Sequence, residues 1–332
     1  RPCHTDVLQL HELRKFHLFP ILTMKKFLLR TALFFAILYA LAWVADLVIT
    51  QECKKVQAAP YASWNDIYAD RINSDVIIMG TSRAFVHFNP AIIDSVLHTD
   101  SYNLGMDGRP TDAQIVKYHA FRRHCSHKPK VILYELYGGS MDKSNGYQRE
   151  QFVPYLKDTK LWKEARELEH FSIADRMIPC WRYIGRKKMF KDITYYSKHH
   201  QDDLYKGFKS HKKSWNGDRI SAIKQLNYPM HKSRVQQFEN FIGECTKDGV
   251  KVVFVYVPMY IEATQKTTDL KGIQNTFAQI ANKYDIPILD YTYDALSYDT
   301  CYFYNAQHLN SKGANLFSTK LSHDIDSLGI LR

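Results

Sequence analysis

The chain lacks any cysteine framework. Its six cysteines, at positions 3, 53, 125, 180, 245 and 301, form no C-x-x-C pair and no metal-ligand spacing. Without Cys3 five remain, an odd number, so at least one is free or pairs between chains. There is no zinc finger, no RNP-like motif and no Gly-rich phosphate loop. Nucleic acid is therefore the weakest partner for a net charge of +11, which suits an anionic glycan or a membrane surface equally well. There is also no internal repeat and no low-complexity tract. With 45% hydrophobic residues the chain is not disordered, and its 332 residues hold one large domain with appendages or two modest ones. No cofactor is implied.

What is present begins with a long apolar run. The first methionine is Met24, followed by Lys25 and Lys26, and residues 27–49 read FLLRTALFFAILYALAWVADLVI, with charges only at Arg30 and Asp46. About 20 apolar residues span a bilayer as a helix, and the leading basic residues predict a cytoplasmic N-terminus with the remainder exported. Residues 24–50 are thus expected to be a single-pass anchor in the inner membrane. A cleaved signal peptide ending near Ala40-Leu41-Ala42 is the alternative. Residues 1–23 read as upstream sequence translated by mistake, and 51–73 as a polar spacer.

From residue 74 onward strands and helices alternate. Short apolar runs at Val76–Gly80, Tyr102–Leu104, Lys130–Leu136, Val250–Val257 and Ile286–Leu289 read as buried strands. Helical spacing or caps place helices after Asn89-Pro90 and over Thr111–His124, Ser233–Asp248, Thr268–Tyr284 and Ser311–Leu328. This pattern predicts a three-layer α/β/α sandwich on a parallel, flavodoxin-like sheet, with functional loops at the carboxyl ends of the strands. Residues 140–232 break the rhythm and read as a large insertion over that edge, with one helix at Leu161–His170. Between Arg182 and Arg219 it carries eleven Lys or Arg against four Asp, interleaved with aromatics. That composition suits a solvated face, an irregular aromatic cap, or a surface facing a glycan or a membrane.

Two stretches carry chemistry. Val76-Ile-Ile-Met-Gly80-Thr81-Ser82-Arg83 is a strand ending on a Gly-x-Ser turn, and Tyr304-Asn305-Ala306-Gln307-His308-Leu309-Asn310 precedes the last helix. A serine hydroxyl becomes a useful nucleophile when a neutral imidazole takes its proton, so Ser82 with His308 is the pair an α/β acyl-transfer enzyme needs. Asn305 stands where an aspartate would orient the histidine. It can accept a hydrogen bond but cannot neutralise an imidazolium, and in a serine protease that replacement costs about 10⁴ in kcat. Asp290, Asp294 and Asp299 are candidate substitutes.

These residues resemble the SGNH (GDSL-like) hydrolases, in particular membrane-anchored bacterial members that add or remove acyl groups on envelope polysaccharides. The resemblance covers about residues 75–136 and 233–325. It implies Ser82 as nucleophile, Gly105 in Tyr102-Asn103-Leu104-Gly105 as an oxyanion-hole residue beside the Ser82 backbone, and Asn305-Ala-Gln-His308 in place of Asp-x-x-His. The family's Gly-x-Asn-Asp block is missing. Glu135-Leu-Tyr-Gly-Gly139-Ser stands there, and Asn145 is only a distant candidate for the third donor. Asn103 is expected to touch substrate; Arg83 either binds an anionic substrate group or, the favoured reading, pairs with an acid such as Glu135. Asn310 or Ser311 caps the last helix. His199, His200 and His211 lack the carboxylate or cysteine framework of a metal site.

The expected function is an extracytoplasmic serine esterase or O-acyltransferase acting on O-acyl, chiefly acetyl, groups of an envelope or secreted polysaccharide. The competing reading is a degenerate glycan-binding or assembly protein, with an export complex as partner. A carboxylate within hydrogen-bond reach of His308 favours the first, and its absence the second.

Overall fold

The computed structural model describes residues 5–108, 110–142, 149–196, 198–199, 204–215 and 225–331, with side chains from Met24 onward. Asn145 and His200 lie outside the described residues. The chain divides into two units, residues 1–51 with 173–185, and residues 52–172 with 186–332.

In the first unit, helix α1 runs Thr5–Lys55. It carries the one helix segment, Met24–Lys55, that is long and apolar enough among the described residues to cross a membrane. Its apolar side chains from Phe27 to Val48 are mostly exposed. The chain returns to this unit in Ile173–Gly185, which opens with the short helix α7 (Ile173–Met177).

The second unit begins inside the stretch expected to be a spacer. That expectation is wrong: Cys53, Val56, Tyr61, Trp64, Ile67 and Ile72 are buried. The reason is helical period. Tyr61, Trp64 and Ile67 share one face of helix α2 (Tyr61–Tyr68), and the polar residues between them mask that stripe when the sequence is read linearly. The Trp64 indole N–H donates to Gln151 Oε1 at 3.0 Å, tying α2 to the insertion.

Alternating elements follow: β1 (Val76–Met79), α3 (Ser82–His87), α4 (Pro90–Leu97), β2 (Ser101–Asn103), α5 (Thr111–His124) and β3 (Val131–Glu135). The insertion supplies α6 (Thr159–Glu169), α8 (Lys187–Tyr196) and the strands β4 (Leu204–Tyr205) and β5 (Phe208–Lys209). The fold then closes with α9 (Lys232–Lys247), β6 (Lys251–Tyr256), α10 (Ile261–Gln265), α11 (Leu270–Tyr284), β7 (Ile288–Asp290), β8 (Phe303–Asn305), β9 (His308–Leu309) and α12 (Ser311–Ser327).

Five strands form one parallel sheet in the order β2-β1-β3-β6-β7, the doubly wound arrangement that the alternation predicts. β1 and β3 are buried at every residue, as strands covered by helices on both faces must be. One core layer joins Val76, Ile78, Leu133, Val253 and Val255 to Phe317 and Leu321 of α12. The β4–β5 hairpin turns at Lys206-Gly207, both at positive φ, and lies along the sheet's edge, where the Asn103 N–H donates to the Lys206 carbonyl at 2.9 Å. A Cβ on Gly207 would sit 1.9 Å from the Asn103 oxygen, so only glycine allows this approach.

Candidate active site

Ser82 is delivered by a turn that needs glycine. Gly80 has φ +144°, and a Cβ there would meet the Glu135 Cβ at 2.6 Å and the Ala84 Cβ at 2.8 Å. The chain can therefore leave β1 sharply and enter α3 directly above the end of β3. Thr81 caps α3, its Oγ1 accepting from the Arg83 N–H at 3.4 Å. The Thr81 N–H and hydroxyl both donate to Glu135 Oε2 at 2.8 Å. The other Glu135 oxygen lies 2.7 Å from Arg83 Nη2, and both side chains are buried. The Arg83 guanidinium also packs on the Tyr137 ring, 3.6 Å from its centroid, and Nη1 reaches the Met259 sulfur at 2.9 Å.

This geometry gives Arg83 the favoured pairing with Glu135, in place of a contact with substrate. Its charge is taken up beneath the Ser82 turn by the acid at the tip of β3. Asn103, expected to touch substrate, is instead engaged within the protein. Its amide donates to the Ala84 and Phe88 carbonyls at 2.7 and 3.0 Å, and its Oδ1 accepts the Gly105 N–H at 2.9 Å. It is a buried brace between β2 and α3. Gly105 lines the cleft, but its N–H, expected to meet an oxyanion, is thereby already engaged. Its smallness has a separate cause: a Cβ would lie 2.5 Å from the Phe85 nitrogen. The Ser82 N–H, the other expected donor, has no hydrogen-bond partner among the described residues.

His308 comes from the antiparallel pair β8–β9, in which Asn305 is registered opposite it. Its Nε2 is 2.8 Å from Ser82 Oγ, and its Nδ1 is 2.9 Å from Asn305 Oδ1. The same Asn305 oxygen accepts the Gln307 backbone N–H at 3.0 Å. A backbone N–H can only donate, so the atom facing it is the amide oxygen, and the His308 Nδ1 beside that oxygen must carry the proton. Nε2 is left with a lone pair aimed at the serine, the tautomer a general base requires. Asn305 thus sets the tautomer as an aspartate would, without supplying charge.

No carboxylate among the described residues hydrogen-bonds to His308. Asp294 caps the Leu296 N–H and pairs with Lys320; Asp299 caps Cys301; Asp290 accepts from Thr292. None of the three candidate substitutes swings in. Burial, with Arg83 and then His211 adding positive charge nearby, pulls the His308 pKa down to about 3. The imidazole is therefore neutral throughout the physiological range. Tyr304 stacks on it (centroids 5.4 Å apart, planes 13° apart), and His211 packs on the Tyr304 ring with centroids 4.4 Å apart. Among the described residues no cluster of histidine, cysteine and carboxylate could hold a metal. His199 donates from Nδ1 to the Tyr195 carbonyl.

Two residues of the site carried no sequence signal. His87, one turn beyond Ser82 and fully buried, accepts the Leu309 N–H at Nε2 (3.0 Å) and so fixes the loop bearing His308. Burial, then His308 and Arg83, drives its pKa well down, which keeps Nε2 an acceptor. Lys117 of α5 looks like a surface position in the sequence, yet its ammonium is buried beside the cleft and donates to the Leu104 carbonyl at 3.2 Å. Desolvation lowers its pKa to about 7, opposed by the charge of Asp66.

Ser82 and His308 open into a cleft of about 320 Å³. The insertion contributes much of its other wall, including Gln151, Lys188, Asp192, Lys209 and His211. Together these groups can take a proton from a serine, offer one unpartnered N–H to an oxyanion and surround the reacting bond with polar groups.

No family model and no curated protein matches the chain. Among solved structures it is similar to a protein from Desulfitobacterium hafniense DCB-2 named for the G-D-S-L lipolytic family, at 9% identity and a TM-score of 0.39 over 75% of this chain and 98% of that one. It is also similar to a protein from Bacteroides fragilis NCTC 9343 named as an acylhydrolase, at 11% identity and a TM-score of 0.37 over 76% of this chain and 86% of that one. At these values the chemistry has to be read from the site itself.

Proposed function

We propose that this chain is an SGNH-type serine acyl-transfer enzyme, anchored in the membrane by α1 and acting on O-acyl groups of an extracytoplasmic polysaccharide. The observation that carries it is the Ser82–His308–Asn305 relay, hydrogen-bonded throughout and held in the productive tautomer by the Gln307 N–H. Ser82 Oγ passes its proton to His308 Nε2 and attacks the acyl carbon, while the carbonyl oxygen gathers charge beside the Ser82 N–H. His308 returns the proton to the departing sugar oxygen, leaving an acyl-serine. A second hydroxyl, from water in an esterase or from a sugar in a transferase, then enters by the same proton path in reverse. The open cleft, its lysines and the stacked Tyr304 support a sugar substrate, and an acetyl ester is the acyl group proposed.

One observation favours the second reading, a degenerate glycan-binding or assembly module: the imidazolium formed during acyl transfer meets no carboxylate among the described residues and sits near a buried arginine. Fluorophosphonate labelling of the full chain, beside Ser82→Ala and His308→Ala, separates the two. Labelling that needs both residues supports the enzyme. Folded protein that resists the reagent rules it out, and glycan binding becomes the function to measure.

A further inference from the structure

Asp46 is the one acid inside the apolar run of α1, and it is fully buried. Its partner comes from the distant stretch Ile173–Gly185 of the same unit. Arg182 Nη2 lies 2.7 Å from Asp46 Oδ1 with neither side chain exposed, and the same nitrogen donates to Thr50 Oγ1 at 2.9 Å. The Cys180 N–H donates to Asp46 Oδ2 at 2.9 Å, its thiol reaches the Ala42 carbonyl at 3.3 Å, and the Tyr183 hydroxyl meets Thr50 Oγ1 at 2.6 Å. These anchors run along one side of α1 for two turns. At a rise of 1.5 Å per residue, Ala42 lies about 10 Å in from Ile49, the end of the apolar run. Of the segment's polar side chains Asp175, Arg182 and Tyr183 are buried, and Arg176 is partly buried. The segment's outward face carries Ile173, Met177, Ile178, Trp181 and Ile184, each between 44% and 67% exposed.

A contiguous apolar patch beside an apolar helix extends that helix's surface. Cys180, Arg182 and Tyr183 of the segment bond to α1, and its exposed side matches α1 in chemistry at the same depth. We propose that Ile173–Gly185 dips into the bilayer against the exit end of α1, with its outward face covered by lipid acyl chains of that leaflet. This rests on the reading of α1 as a membrane anchor. Irregular backbone is tolerated at such depth where its polar groups are buried in protein, as the Asp46–Arg182 cluster provides, and tryptophan suits the boundary between tails and headgroups.

The test uses the full chain in nanodiscs of brominated phosphatidylcholine. The Trp181 contribution is the difference between the native chain and Trp181→Phe, and the Trp43 contribution likewise with Trp43→Phe. The expected result is that bromine quenches both contributions and aqueous acrylamide reaches neither. Ile184→Trp in the Trp181→Phe background should restore a bromine-quenched signal. A Trp181 contribution quenched by acrylamide and untouched by bromine overturns the proposal while the Trp43 signal upholds the anchor. Shielding from both quenchers also overturns it, because a second copy or another protein then covers the face. A Trp43 signal untouched by bromine removes the anchor reading and the proposal together.

Discussion

At the scale of single residues the decisive group is Asn305, because it separates two jobs that an aspartate does together. It holds the tautomer and withholds the charge. Asn305→Asp adds a carboxylate beside His308 Nδ1, which stabilises the imidazolium and raises the His308 pKa from about 3. Fluorophosphonate labelling should therefore speed up, by at most about 10⁴-fold, since the tautomer is already correct. Its ascending pH limb, far below 6.5 in the native chain, should move towards neutrality. An unchanged rate and limb in the folded variant would contradict this account of the site. Lys117 gives a prediction of the opposite kind. Its pKa is about 7 when folded against an ordinary 10.5, so the unfolded chain binds more protons between those values and stability rises with pH across that window. Below pH 7 the whole desolvation cost is present, on the order of 5 kcal/mol. Lys117→Met should raise Tm most near pH 6, with the gain shrinking towards pH 10. An equal gain at both pH values would mean that the ammonium is not desolvated.

Elements act here through what their ends bring together. The tips of β1 and β3 place Gly80 against Glu135, and Glu135 in turn grips Thr81 and Arg83, so the turn that carries Ser82 is built on a buried ion pair. α1 and the segment 173–185 repeat the device with Asp46 and Arg182. Removing one member of such a pair leaves an uncompensated buried charge, at a cost of about 3–5 kcal/mol, whereas replacing both with apolar residues is often neutral. Arg182→Met should accordingly lower the thermal stability of the full chain in detergent, and Asp46→Leu with Arg182→Met should recover it. A double variant as unstable as the single one would show that packing, and not charge, holds the segment.

For the whole molecule, the chain combines an exposed apolar helix with a sheet-based unit that carries the Ser82–His308 pair. On this reading the protein should remain in the pellet when membranes are washed with alkaline carbonate. Release into the supernatant would remove the anchor from the account. The insertion, expected as a single excursion over the functional edge, divides between the two units: its hairpin extends the edge at β2 and its helix α8 lines the cleft, while residues 173–185 belong with α1.

The sequence alone determined the architecture, because buried parallel strands must be nearly continuous apolar runs and their covering helices must repeat every three to four residues. The order of its motifs, as the resemblance reads them, also pointed to the serine and histidine that meet. The sequence could not rank the polar residues around them. Arg83, Asn103 and Gly105 were legible as neighbours of the nucleophile, but whether a side chain faces substrate or a buried partner depends on contacts between positions far apart in sequence. Glu135 under Thr81, His87 behind Leu309, Lys117 beneath Leu104 and Arg182 against Asp46 are such contacts. Only the tertiary structure decided them, because a buried charge or donor must find its partner across the fold, and the identity of that partner leaves no periodicity in the chain.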